Sequence, residues 1–241
     1  MPNSYFQFKQ FTIHQDRCAM KVTTDGCLFG AWVAKSLSVD SQLEVFDAGT
    51  GTGLLSLMLA QKHPALKIDS VEIDKEAYRQ AKENVQVAPF GGGINVIHGD
   101  LRTFIFQKKY DIIISNPPFY EKEIKSGNEK KNMAHHHAAL LIEELLSIIK
   151  KIIAPKGSFY LLLPFKRNKE IQSLLKTQSL FISQLILIRQ SVNHDYFRIM
   201  LKGEMTDGHA ETSIDEISIW NEQQQYTDAF RDLLKDYYLN L

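Results

Sequence analysis

Cysteine is nearly absent: Cys18 and Cys27 are the only two in 241 residues. A secreted scaffold stapled by disulfides carries more, so a reducing compartment is the expectation. An excess of either charge is also missing, because 28 Lys and Arg offset 28 Asp and Glu. The molecule as a whole therefore exerts no attraction on a polyanion, and any binding of nucleic acid has to come from a local basic face. No apolar run approaches the ~18 residues that span a bilayer. The first ten residues lack a basic stretch followed by an apolar one, which argues against a signal peptide. There is no internal repeat and no low-complexity segment. These absences predict a cytoplasmic protein with no membrane partner. Its 44% apolar content is ordinary for a globular chain, and its length is at the upper end of what one core supports.

What is present is alternation. Strands are read at 43–47, Lys67–Glu72, Ile94–His98, Tyr110–Ser115 and 158–163, with helices at 53–61, Lys75–Val87 and 138–153 between them. A turn at Pro155-Lys156-Gly157 introduces the last of these strands. Strands alternating with helices predict an α/β fold with a parallel sheet covered on both faces. The ends differ. Residues 6–13 alternate apolar and polar and suggest a small hairpin or cap. After a helix at 169–176, apolar runs at 181–189 and 196–201 suggest an antiparallel pair closing the sheet edge. A strand at 214–220 and a helix at 227–238 follow.

The segment Asp47-Ala48-Gly49-Thr50-Gly51-Thr52-Gly53 ends a strand and opens a helix. Glycines there permit a sharp turn and the close approach of a ligand. They recur at every second residue, whereas the dinucleotide fingerprint spaces its last glycine wider to seat a pyrophosphate. Asp47 would repel a phosphate; a carboxylate there suits a cationic ligand, and S-adenosylmethionine carries both a sulfonium and an ammonium. Glu72 ends the next strand, where an acidic side chain reaches ribose hydroxyls. Asp74 reads as the cap of the helix from Lys75. Gly99-Asp100-Leu101 follows the third strand. Asp100 suits a hydrogen bond from an adenine amino group, or alternatively caps a turn before Leu101; both residues join the candidate cofactor set.

Ser115-Asn116-Pro117-Pro118-Phe119 indicates the chemistry. An exocyclic amine is a poor nucleophile because its lone pair is delocalised into the base. Hydrogen bonds accepted from both amino protons, by the Asn116 side chain and the Pro117 carbonyl, draw the nitrogen toward tetrahedral geometry. Two prolines fix the backbone and remove donors, so the carbonyls face the ligand. Phe119 offers a face on which a planar base stacks, worth ~1–3 kcal/mol. The methylated amine is acidic enough to lose its proton to water, so no general base is required.

Taken in order, the Asp-x-Gly-x-Gly-x-Gly loop, the acidic strand end, Gly-Asp and Asn-Pro-Pro-Phe resemble the amino-methylating branch of the Rossmann-like methyltransferases. The stretch from Asp16 through Lys21, Thr24, Asp25 and Gly26 is similar, more narrowly, to the family that methylates adenine N6 beside the anticodon of a valine tRNA. This resemblance covers nearly the whole chain. It implies a seven-stranded, mostly parallel sheet with an antiparallel edge pair and a small N-terminal cap. It implies one methyltransferase domain over 1–241, with the cap and cofactor segment in about 1–36 and the core in about 37–241. It also implies that Thr24, Asp25 and Gly26 pack beneath the methionine moiety of S-adenosylmethionine; Lys21, beside them, joins the cofactor set. From the residues alone, Thr24-Asp25-Gly26 reads as a turn before a helix containing Trp32. Thr23 departs from the family pattern, where a glycine is expected. The implied partner is tRNA, with no obligate protein partner evident.

Other readings stay open. The same tetrapeptide suits DNA adenine, rRNA guanine or a protein glutamine, although the glutamine enzymes favour tyrosine where Phe119 stands. An inactive RNA-binding scaffold would keep the fold, yet both the glycine loop and the tetrapeptide are intact. A nicotinamide oxidoreductase would need the wider glycine spacing. His135-His136-His137 cannot all converge on one ion from a regular element, so no metal is expected. Candidate RNA-facing bases are Lys122, Lys125, Lys130 and Lys131 in a polar loop at 120–132, then Arg17 with Lys21, and Lys166 with Arg167 and Lys169. The cap and the C-terminal segment are also read as substrate-facing.

Overall fold

The computed structural model describes residues 3–37, 42–118, 142–205 and 211–241. A hairpin, β1 (Tyr5–Gln7) with β2 (Thr12–His14), precedes helix α1 (Thr24–Ser36). Then follow β3 (Glu44–Ala48), α2 (Leu54–Lys62), β4 (Lys67–Glu72), α3 (Lys75–Val87), β5 (Ile94–His98) and β6 (Tyr110–Ser115). The second half contains α4 (Ile142–Ile152), β7 (Ile153–Pro164), α5 (Asn168–Thr177), β8 (Phe181–Ser191), β9 (Tyr196–Glu204), β10 (Ser213–Trp220) and α6 (Asp228–Leu234).

The strands after the hairpin form one sheet in the order β10-β8-β9-β7-β6-β3-β4-β5. β9 runs antiparallel to β7 and β8, and every other pairing is parallel. The sheet is thus mostly parallel and contains the expected antiparallel pair. Among the described residues it has eight strands rather than seven, because β10 adds in parallel outside β8. Its central strands are apolar on both sides. Val45, Ile112 and Ile114 enter one core with α1, α2 and α6, while Phe46 and Ile113 enter a second with α4 and α5. A strand covered on both faces reads as a continuous apolar run, which is why 110–115 is legible without alternation.

Two local differences from the sequence reading have clear causes. Thr24-Asp25-Gly26 is the first turn of α1 and not a turn ahead of it. Thr23 is the N-cap, in extended conformation, with its side-chain oxygen accepting from Gly26 N. The threonine that stands where glycine was expected therefore satisfies one of the helix's free amides. Pro155-Lys156-Gly157 lies inside β7, not before it. The register passes from Tyr110↔Ile153 to Ile112↔Ser158, so the extra residues form a bulge. Gly157 fits because a Cβ there would stand 2.9 Å from the carbonyls of Tyr110 and Asp111.

The two ends of the chain close over the first core. Trp220 stacks on Tyr226 and Tyr226 on Phe230, with centroids 4.1 and 4.5 Å apart. Tyr238 then meets Phe6 and Phe8 of the hairpin segment. Lys9 N donates to Tyr237 O at 2.8 Å, and the Tyr237 hydroxyl donates to Met58 O at 3.0 Å. Parallel connectivity brings the C-terminal ends of β3, β4, β5, β6 and β7 to one edge, where the following loops converge.

Across the β7–β9 ladder Gly203 faces Phe159, and a Cβ at 203 would overlap the phenyl ring, which is fully buried. Gly203→Ala is expected to destabilise the fold by about 1–3 kcal/mol through this overpacking, read by urea denaturation.

Candidate cofactor and catalytic site

The loop from β3 to α2 is built by backbone constraint. Gly49 N and Thr50 N both donate to Val71 O, at 3.0 and 3.1 Å, tying the loop to the end of β4. Gly49 and Gly51 have φ of +78° and +58°. A Cβ at either would meet nothing within 4 Å, so the backbone borders open space as a ligand cradle requires. Gly53, at +83°, caps α2 and packs on Ala81 of α3 instead.

Asp47 is fully buried beneath this loop. Its Oδ2 accepts from Thr50 Oγ1 at 2.6 Å and Ser56 Oγ at 2.7 Å. Its Oδ1 has no partner. Burial pushes the carboxyl up to about 6, against the lowering effect of the two hydroxyls. Glu72, also buried, accepts from Gly51 N through Oε2 and from Asp74 N through Oε1, both at 2.8 Å. Burial raises its pKa as well. Each of its oxygens keeps a further lone pair for ribose hydroxyls. Asp74 caps α3 by accepting from Ala77 N at 2.8 Å, as the sequence indicates.

Asp100 follows β5 and is partly exposed. It accepts from Arg102 N at 3.0 Å and forms an ion pair with the Arg102 guanidinium at 2.6 Å, which lowers its pKa. It thus caps the turn, and an adenine amino group would share its oxygens with Arg102. Leu101 packs against the second core.

Ser115 Oγ donates to Ala48 O at 2.7 Å, holding the end of β6 beside the start of the glycine loop. Asn116 therefore emerges next to that loop. Its side chain is half-exposed and has no hydrogen-bond partner among the described residues, whereas Pro117 is buried and Pro118 exposed. Gly26 closes the group from the other side: its Cβ position is 3.8 Å from Asn116 Nδ2 and 3.7 Å from Leu54 Cδ2. Asp25 Oδ2 accepts from Arg198 Nε at 2.8 Å, and Thr24 lies near Tyr238 of the C-terminal segment. Lys21 is half-exposed. Its ammonium donates to the carbonyls of Gln15 and of Cys18, the latter at 2.9 Å, and fastens the turn that leads into α1. Phe119, the 120–132 loop, His135 to His137 and residues 138–141 lie outside the described residues. Among the described residues no His, Cys, Asp and Glu cluster has a metal-binding arrangement, and no helix is long and apolar enough to cross a membrane. Cys18 and Cys27 are free and buried.

The arrangement fits S-adenosylmethionine on the protein's own terms. An unpartnered buried carboxylate oxygen, a second buried carboxylate and an open cradle of backbone lie together around one loop, and among the described residues no cationic side chain pairs with either carboxylate. Comparison with known proteins agrees. Residues 30–175 match the methyltransferase small domain model. A Dyadobacter fermentans protein named tRNA1(Val) (adenine(37)-N6)-methyltransferase is 38% identical over 98% of each chain. Its namesake from Christiangramia forsetii is 36% identical over 100% of each chain. The chain belongs to this family. Among solved structures, a predicted O-methyltransferase from Agrobacterium tumefaciens superposes with a TM-score of 0.67 at 16% identity, over 88% of this chain and 99% of that one. A putative RNA methyltransferase from Pyrococcus horikoshii gives 0.54 at 21% identity, over 75% and 84%. The fold is that of the Rossmann-like methyltransferases.

One residue of this family member escapes any motif. Asn84 of α3 is fully buried. Its Oδ1 accepts from His14 N at 3.0 Å, and its Nδ2 donates to His14 O at 2.8 Å and to Thr52 O at 2.9 Å. One amide thus joins the N-terminal hairpin, α3 and the glycine loop. In sequence it is an ordinary polar residue of an amphipathic helix, and only its zero exposure distinguishes it. Asn84→Asp removes both donors and is expected to cost at least about 2 kcal/mol in urea denaturation.

Asp47 gives a pH prediction. A carboxyl raised in the folded state opposes folding when ionised, and this cost is relieved as pH falls from about 6 to about 3.8. A cation at Oδ1 favours the ionised form. Calorimetric affinity for S-adenosylmethionine is therefore expected to weaken between about pH 7 and pH 5 with proton release on binding, and Asp47→Asn to flatten that dependence.

Proposed function

We propose that this chain transfers a methyl group from S-adenosylmethionine to N6 of adenine 37 in tRNA1(Val). Two lines support the reading: kinship across the full chain at 34–38% identity with enzymes of that name, and the emergence of Asn116 beside the glycine loop. The bound cofactor supplies an electrophilic sulfonium methyl. Asp47, Gly49, Gly51, Gly53 and Glu72 hold its charged and ribose parts, with Asp100 and Leu101 toward its adenine. Thr24, Asp25 and Gly26 form the wall beneath its methionine part, and Lys21 fixes the segment leading into that wall.

Asn116 accepts one hydrogen bond from the target amino group through Oδ1, and the Pro117 carbonyl accepts the other. Both acceptors favour the pyramidal nitrogen over the planar one, so they stabilise the transition state more than the bound base. Pro118 keeps the turn rigid and Phe119 stacks on the base. The extra proton leaves to water. We read residues 1–241 as one methyltransferase domain working in the cytoplasm, since the N-terminal hairpin and α6 share the core of α1 and α2.

Incubating the protein with labelled cofactor and unmodified tRNA tests this directly. Label in N6-methyladenosine at position 37 of the valine tRNA is the expected product. Asn116→Ala is expected to lower kcat at least about 100-fold, by analogy with loss of one preorganised hydrogen-bond group. Label appearing instead in a protein glutamine or in rRNA would overturn the substrate assignment.

A further inference from the structure

Beyond Asn116, the C-terminal edge of the sheet continues through the end of β7, the start of β9 and the end of β8. Pro164 of β7 pairs with Arg198 of β9, three residues past the Ser115↔Leu161 pairing that precedes Asn116. The glycine loop occupies the opposite side of Asn116. A polymer whose base enters at Asn116 therefore leaves over β7 and β9.

The ladder slips at this point. Ile188 faces Arg198 and Arg189 faces Tyr196, which leaves Phe197 unpaired in a bulge. A bulge at a sheet rim redirects a side chain. Phe197 packs, half-buried, against the core that contains α1. Arg198 reaches α1 itself, through Nε to Asp25, and its guanidinium is 5.6 Å from the Phe197 ring centroid. Asp25 adjoins Gly26, the neighbour of Asn116. The Arg198 side chain remains 37% exposed. Its Nη1 reaches only the Phe197 carbonyl, at 3.5 Å, and its Nη2 has no partner among the described residues. Lys166, just past β7, is exposed and makes no ion pair among the described residues, whereas Arg167 beside it is paired with Glu170.

Resting on the tRNA reading, we propose that Phe197 and Arg198 hold the nucleotide that adjoins the methylated adenine in a single-stranded stretch of RNA. Arg198 binds its phosphate through the free Nη edge, Phe197 stacks on its base, and Lys166 meets a second phosphate. A guanidinium anchored at Nε is already oriented, so little side-chain freedom is lost when the phosphate arrives. An aromatic ring beside a guanidinium is the combination that takes single-stranded nucleic acid without reading its sequence. A peptide carrying glutamine offers neither the phosphate nor the second planar base.

The test compares wild type, Phe197→Leu, Arg198→Gln and Arg198→Lys. It measures equilibrium binding to full-length tRNA at several salt concentrations, methylation of that tRNA, and cofactor affinity by calorimetry. Phe197→Leu is expected to weaken tRNA binding about 10-fold through lost stacking. Arg198→Gln is expected to weaken it and to lower the slope of log affinity against log salt by about 1, with Arg198→Lys recovering the slope. Cofactor affinity changes far less in each. An unchanged slope in Arg198→Gln would overturn the proposal, as would losses of cofactor and tRNA affinity in equal proportion, because the pair would then only support α1. If wild type labels the tRNA but the variants bind it normally, this inference alone falls. If wild type labels no tRNA, the substrate reading falls and takes this one with it.

Discussion

A buried carboxylate without a counter-charge is costly, and Asp47 is held in that state by the loop it organises. Its Oδ2 gathers Thr50 and Ser56 into one cluster, and Ser56 in turn meets Ser70 of β4 at 2.8 Å. The cluster fixes the start of α2 against two neighbouring strands, and it leaves Oδ1 buried without a hydrogen-bond partner. The glycines then take conformations that few other residues tolerate. A cation brought near this carboxylate would offset a cost that the fold already carries.

The remaining elements are arranged around that loop by side-chain contacts that cross long stretches of sequence. Ser115 brings Asn116 to its side, and Gly26 brings α1 within van der Waals reach of Asn116. Asn84 ties the loop's outer turn to the hairpin at the N-terminus. Tyr238, near the C-terminus, meets Thr24 and Cys27 of α1 and the hairpin aromatics. Both ends of the chain thus support α1, which is a structural task in addition to the substrate contact expected of them. Arg198 ties β9 to the same helix through Asp25. A displacement of α1 would be felt by both ligands at once.

Much of the fold was legible because its signals are local. The runs at Lys67–Glu72, Lys75–Val87, Ile94–His98 and Tyr110–Ser115 match their elements residue for residue, since each is bounded by capping or turn chemistry. The bulge at Pro155-Lys156-Gly157 was read as a turn because proline and glycine mark both, and only the partner strand decides between them. The start of α1 is hidden in the sequence because Thr24-Asp25-Gly26 has the composition of a turn, while the cap that starts the helix is one residue earlier, at Thr23. Whether β10 would extend the sheet depended on the free edge of β8, which no pattern within 213–220 reveals.

The sequence by itself determined the chemistry: the glycine spacing, the acidic strand end and Asn-Pro-Pro are contiguous motifs whose function follows from residue type and order. Tertiary structure alone decided which distant groups serve them. Asn84 looks like any polar helix residue until burial commits all its donors, and Phe197 and Arg198 look like a strand's ordinary alternation until a register slip leaves Phe197 unpaired and Arg198 bonds Asp25 of α1. Motifs are written along the chain, but burial and register are properties of its neighbours in space.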